Sequence, residues 1–194
     1  MSSTLGAALL TVSLATGGTI AEKPVLPQPV LEAGLKKAGC TMAPGQAEIV
    51  GTEWLSSRLE IVEVTCWRGD YNSGSILFAV PDHRPQRAQL LPIDTWKDGR
   101  VRRAYSIASP GFDPKTRTLS STLKARGTGD CGTIQEMKWT GWHFRLMNVW
   151  TKASCDGEPF EWDSRERWQV YPQRGLERDP EGPSSKDENE YAGL

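Results

Sequence analysis

The spacing of apolar and polar positions changes character along this chain. From Val30 to Gly39 the apolar residues Val30, Leu31, Leu35 and Ala38 share one face at helical spacing, with Lys36 and Lys37 near the end and Gly39 as a stop. Beyond that point the period shortens to two. Arg58–Thr65 is rich in β-branched residues, Ser75–Val80 is a compact apolar run, and Ala88–Ile93 is a third candidate strand. Leu119, Ser121, Leu123 and Ala125 alternate with Ser120, Thr122, Lys124 and Arg126, as in a half-exposed strand. Trp142, Phe144, Leu146 and Trp150 share one parity and His143 and Arg145 the other, which predicts a strand with one buried face. Its partner is Ile134–Trp139, joined through Thr140-Gly141. Asp98-Gly99 marks a further hairpin, and Phe112-Asp113-Pro114-Lys115 a turn in which Pro114 fixes φ. The pattern predicts a mainly β fold, an antiparallel meander or sandwich-like domain with a short N-terminal helix.

The two ends differ from this body. Leu5–Ala21 is a run of small and apolar residues ending Thr19-Ile20-Ala21, which suits signal-peptidase cleavage after Ala21, although no Lys or Arg precedes Lys23. Gly17 and Gly18 interrupt the run, and it is short for a membrane span. From Gln173 to Leu194 the chain is rich in Pro, Ser, Asp and Glu, too poor in apolar side chains to offset the entropy of ordering. The expected organisation is a signal peptide over 1–21, a single disulfide-stapled β domain over 24–172 and a disordered acidic tail over 173–194, with no membrane span once the leader is removed.

Four cysteines, Cys40, Cys66, Cys131 and Cys155, fall in two pairs of similar spacing. An even number behind a hydrophobic leader is the pattern of an exported protein with two disulfides, periplasmic or secreted. Four cysteines allow three connectivities; pairing of sequence neighbours, 40 with 66 and 131 with 155, closes two loops worth about 3.5 kcal/mol each in chain entropy. A C-x-x-C motif is lacking, and His83 and His143 are not spaced with the cysteines as zinc ligands would be, so no metal or other cofactor is expected.

Charge narrows the partners. The formal net charge is −1, without the local Lys/Arg excess that phosphate neutralisation needs, which argues against nucleic acid; Arg100–Arg103 reads as a solvated turn. The eight tryptophans are more than a chain this short ordinarily carries. Indoles fill small β cores or stack on sugar faces; Trp142 and Trp150 belong to the apolar parity, whereas Trp162 and Trp168 lie among charges and are expected to be partly exposed.

Two loops are candidate binding sites. Trp67, Arg68, Asp70, Tyr71 and Asn72 combine an aromatic, both charges, a phenol and an amide, the groups of a glycan or peptide contact, although Trp67 packed on a disulfide and Tyr71 with Asn72 holding a turn would give the same string. The Arg68-Gly69-Asp70 tripeptide is read as a chance match to an integrin motif. The segment Gly127–Gly132 is glycine-dense and edged by Arg126 and Asp130. It lacks the Lys of a nucleotide-binding loop, and its glycines equally suit a sharp reversal into a disulfide with Asp130 bonding nearby backbone donors.

These same segments resemble an exported bacterial family known as domain of unknown function 1176. Cys66-Trp67-Arg68-Gly69-Asp70-Tyr71-Asn72 is similar to its C-W-x-G-A-Y-N signature, departing at Asp70 where the family has a small residue. Phe112-Asp113-Pro114, Leu119-Ser120-Ser121 and Lys124-Ala125-Arg126-Gly127-Thr128-Gly129-Asp130-Cys131-Gly132 resemble its F-D-P, L-S-S and K-G-R-G-x-G-D-C-G strings. Trp139, Gly141, Phe144, Arg145 and Leu146 match W-x-G-x-x-F-R-L, so the likeness covers Cys40 to Asp156. It implies a periplasmic or secreted protein and no particular activity. The meander is also loosely similar to periplasmic lysozyme-inhibitor-like β domains. The expected function is therefore a non-catalytic binding module for a protein or cell-wall glycan. The alternatives are an envelope polysaccharide hydrolase using Asp130 and Glu136 as acid and base, or a purely structural domain.

Overall fold

A computed structural model of the chain describes residues 25–172. The expected leader over 1–21 and tail over 173–194 lie outside the described residues. Helix α1 (Gln28–Ala38) ends at Gly39, whose φ of 68° lets the cap N–H turn back to Leu35 and Lys36. Strands follow in two sheets. β1 (Ile49–Ser56), β2 (Leu59–Arg68), β3 (Ser73–Pro81) and β4 (Gln89–Leu90) form the first sheet in that order. β5 (Ile93–Lys97), β6 (Arg100–Ala104), β7 (Ser106–Ala108), β8 (Pro110–Asp113), β9 (Thr118–Lys124), β10 (Gly132–Trp139), β11 (Phe144–Lys152) and β12 (Gln169–Tyr171) complete the chain. Of these, β7 returns to pair with β3; the others make the second sheet, ordered β6-β5-β11-β10-β9-β8 with β12 also on β11. The predicted meander is present as β8-β9-β10-β11, antiparallel throughout.

Alternation along the central strands explains the layering. Ile61, Leu77 and Ala79 face the second sheet and pack with Leu119, Met137, Phe144, Leu146 and Val149. Val62, Val64, Ile76, Phe78 and Val80 face the other way, onto Leu35 of α1. Because β2 and β3 are covered on both sides, they read as apolar runs rather than alternating strands. Gly34 sits so close to Phe78 that a Cβ there would lie 2.3 Å from the ring, so a helix-weakening glycine is what allows the helix to dock.

Several expectations are corrected. Ala88–Ile93 is not one strand: β4 ends in the first sheet at Leu90, and β5 begins in the second at Ile93. Arg100–Arg103 is strand β6 rather than a turn, and Arg103 bonds Asp94 at 2.8 Å. Trp150 does not share a face with Phe144 and Leu146. Glu136 pairs with Asn148 but Met137 with Leu146, so Met147 is an extra residue and the parity reverses beyond it. Trp150 therefore points outward with Ile134, under Phe160 and Trp168 of the C-terminal segment. Trp142 precedes the strand and is half-buried, and His143, expected on the polar face, is buried. Trp162 and Trp168 are partly exposed, as anticipated.

Both disulfides join sequence neighbours, Cys40–Cys66 and Cys131–Cys155. Each brackets an antiparallel hairpin: the first encloses β1 and most of β2, the second encloses β10 and β11. No described helix is long and apolar enough to cross a membrane.

Candidate functional site

The two motif-bearing loops meet. Asn72, just before β3, donates through Nδ2 to the carbonyl of Lys124 and accepts its N–H through Oδ1, at 2.9 and 2.8 Å. This pair of bonds ties the first loop to the end of β9. Tyr71 then lies on Gly127, where a Cβ would come within 2.8 Å of the ring. Glycine at 127 is therefore required by the approach of the phenol. Tyr71 remains 56% exposed. Trp67 is half-buried over Gly74 and packs with the apolar residues around Cys40 and Cys66. Arg68 forms an exposed ion pair with Glu48 at 2.8 Å. Asp70 is exposed and makes no side-chain hydrogen bond among the described residues. Asn72 and Trp67 thus serve the structure; Tyr71, Arg68 and Asp70 face solvent.

Asp130 is only 4% exposed and is saturated. Arg126 Nε donates to its Oδ1 at 2.8 Å and Nη2 to its Oδ2; Thr128 Oγ1 donates at 2.6 Å and the Gly157 N–H at 2.7 Å. The Arg126 bonds, then that of Thr128, hold this carboxyl far below the usual carboxylate range. Next to it, Lys152 is 2% exposed, yet its ammonium is fully occupied by the carbonyls of Asp130 and Ser154 and the carboxylate of Asp156. The Lys152 bond, followed by the Glu158 N–H, lowers Asp156 to about 2. These groups clamp the second disulfide between the loop before β10 and the strand end after β11. A cleft of about 300 Å³ opens beside the clamp, walled by Arg126, Thr128, Gly129 and Asp130 on one side and Gly157, Pro159, Phe160 and Glu161 on the other. It mixes guanidinium, hydroxyl, carboxylate and ring surface within one concavity, at the small end of ligand-site volumes.

The carboxylate pair expected of a hydrolase does not form. Asp130 precedes β10 and is bound into the clamp, whereas Glu136 lies six residues along, accepting a 2.8 Å bond from Asn148. Extended chain separates the two by roughly 20 Å, beyond either separation that glycosidic acid–base chemistry uses.

One buried polar group was not anticipated from the sequence. His143 Nε2 faces Asp94 Oδ2 at 3.2 Å, and its Nδ1 lies 2.8 Å from Thr140 Oγ1. Burial alone would raise Asp94, but the His143 hydrogen bond and the Arg103 guanidinium outweigh it and hold the carboxyl below its ordinary value. Thr140 Oγ1 is also 3.0 Å from the His143 carbonyl, so the chain of bonds closes on the turn's own backbone and fastens the β10–β11 turn to β5. The Asp94 that completes it lies 49 residues from His143, on a strand whose pairing with β11 is parallel and single.

Comparison with known proteins agrees with the motifs. A family model described as a protein of unknown function (DUF1176) matches residues 15–171. An uncharacterised protein of Escherichia coli K12, YpfG, is 24% identical over 130 residues, which cover 66% of this chain and 36% of that protein. The chain thus spans about a third of the length of this curated relative. No solved structure matches.

Proposed function

Because the chain belongs to the DUF1176 family of proteins of unknown function, we propose from its own geometry that it is an extracytoplasmic, non-catalytic binding module for a cell-wall glycan. One observation carries this reading: Tyr71 is pinned on Gly127 with more than half its surface open, on the same loop that walls the cleft. An exposed ring beside a concavity of charged, hydroxyl and backbone donors offers stacking together with hydrogen bonding, the combination that sugar recognition uses. The rigidity of the wall favours the same reading, since every polar group of Asp130 and Lys152 is already partnered and a ligand would order little. Two disulfides that bracket hairpins support export to an oxidising compartment, with residues 24–172 as its single folded unit.

The test is retention on purified peptidoglycan and, separately, on immobilised lysozyme. Retention on peptidoglycan that Tyr71→Ala weakens supports the proposal. Retention on lysozyme alone replaces the glycan with a protein ligand, and retention on neither, for a correctly oxidised protein, overturns the binding reading.

A further inference from the structure

A second aromatic surface lies at the opposite end of β2. In the β1–β2 register Trp54 stands directly across from Glu60, and Glu60 stands across from Val80 of β3, so the indole and the carboxyl share the sheet face that α1 covers further along. His83 packs against Trp54 with ring centroids 4.8 Å apart and the ring planes tilted by 51°. Its position is set by a turn in which both Asp82 and His83 have positive φ, 50° and 55°. Trp54 is 42% exposed and His83 is exposed. Glu60 beneath them is only 7% exposed and accepts no hydrogen bond from any described residue. Its oxygens still reach water but meet no protein donor, and burial pushes the carboxyl above its ordinary value, against the opposing charge interaction with His83. Around the same turn Arg58 and Arg87 both reach Asp82, at 2.7 and 3.9 Å, and exposed Arg84 acts on the same carboxylate by charge alone, with no side-chain hydrogen bond. Three guanidiniums against one aspartate leave the rim positive.

We propose that this surface is a second carbohydrate site, taking one pyranose ring of an acidic glycan. The C–H face of the sugar stacks on Trp54, its ring hydroxyls donate to Glu60, and its acid group meets the arginines of the 82–87 turn. A carboxylate that meets water but no protein donor suits a ligand rich in donors, the open indole a flat apolar face, and the rim a negative charge. A cationic ligand would be repelled by the rim, and a purely apolar one would leave Glu60 as it is. This inference shares with the proposed function the premise of a glycan ligand but uses none of its residues. Eight residues of β2 separate the two surfaces, roughly 25 Å.

Calorimetric titration of the full chain with trigalacturonate, and with uncharged chitotriose for comparison, tests the site. Trigalacturonate is expected to bind more tightly than chitotriose, with Trp54→Ala weakening it about tenfold or more, the scale of an aromatic anchor. Glu60→Gln and Arg84→Ala should each weaken it several-fold. Arg84 is exposed and makes no side-chain hydrogen bond or close ion pair, so its variant reads the site even if the Trp54 variant fails to fold. In a Tyr71→Ala background, which removes the ring beside the cleft, trigalacturonate binding should keep its dependence on Trp54 and Arg84. Binding abolished by Tyr71→Ala but indifferent to Trp54→Ala and Arg84→Ala would overturn this site while leaving the cleft intact. Binding of neither sugar, or equal affinity for both, would also overturn it.

Discussion

Asp130 and Glu60 are both largely covered acidic residues near the ends of interior strands, and their surroundings are opposite. Asp130 is met by a guanidinium, a hydroxyl and a backbone N–H, and its acidity is strengthened accordingly. Glu60 is met by hydrocarbon, an indole and one imidazole, and its acidity is weakened. A carboxylate whose lone pairs are all in use fixes a loop, whereas one left with vacant acceptors is a place where something else can bind. The residue that stands out in the sequence, within a dense glycine motif, is the structural one. The available one sits in an unremarkable strand.

The sharpest way to break this contrast is to remove what Asp130 braces. Cys131→Ser with Cys155→Ser should cost about 3.5 kcal/mol in urea unfolding, and the Cys40, Cys66 pair nearly the same, since the sequence separations are 24 and 26. A markedly smaller loss at 131–155 would show that the Asp130–Lys152 clamp holds the hairpin unaided.

Next comes Asp94→Asn, which leaves His143 and Arg103 facing an amide. A loss of about 3 kcal/mol is expected at neutral pH, as when one partner of a buried pair is removed. The sign follows from the lowered pKa of Asp94. The stabilisation is complete above the ordinary value of 3.8 and fades as the pH falls through the lower folded value, so wild type and variant should converge in acid. Parallel stability curves down to low pH would refute the pairing.

Asp130→Asn should destabilise less, because half-exposed Arg126 can return to water, and the loss should persist into more acidic solution than that of Asp94→Asn.

The smallest effect has the opposite sign. Glu60 is raised, so the folded state favours its protonated form; that preference is present in acid and lost as pH rises through the folded value. Glu60→Gln should therefore stabilise the protein by about 0.5 kcal/mol at neutral pH and by nothing in acid. Destabilisation at neutral pH would mean that Glu60 already has a partner, and would remove the contrast.

What the sequence revealed follows from range. Helix α1, its Gly39 stop, the Asp98-Gly99 hairpin and the β10–β11 hairpin were legible because their signals are local, a few residues apart and conformationally specific. The neighbour pairing of the cysteines was favoured for the same reason. β1 was not legible: it is an edge strand in which only Leu55 is buried, so no apolar period marks it. The switch of Trp150 to the outer face depends on one bulged residue, Met147, which leaves no compositional trace. In the first site, the meeting of Tyr71 with Gly127 spans more than fifty residues, so both loops could be named as candidates but not joined. Trp54, Glu60 and His83 come from three places that only the β1-β2-β3 register unites.

The return of β7 to the first sheet has a consequence for assembly. Strand β3 receives β4 along one part of an edge and β7 along another, and β7 arrives only after the chain has already built β5 and β6 elsewhere. Ser121 of β9 then latches the Ala108 carbonyl at 2.7 Å. Neither sheet can be finished before the other is under way, so the two are expected to melt together, and a fragment ending between β3 and residue 106 would leave β3 with a raw, sticky flank.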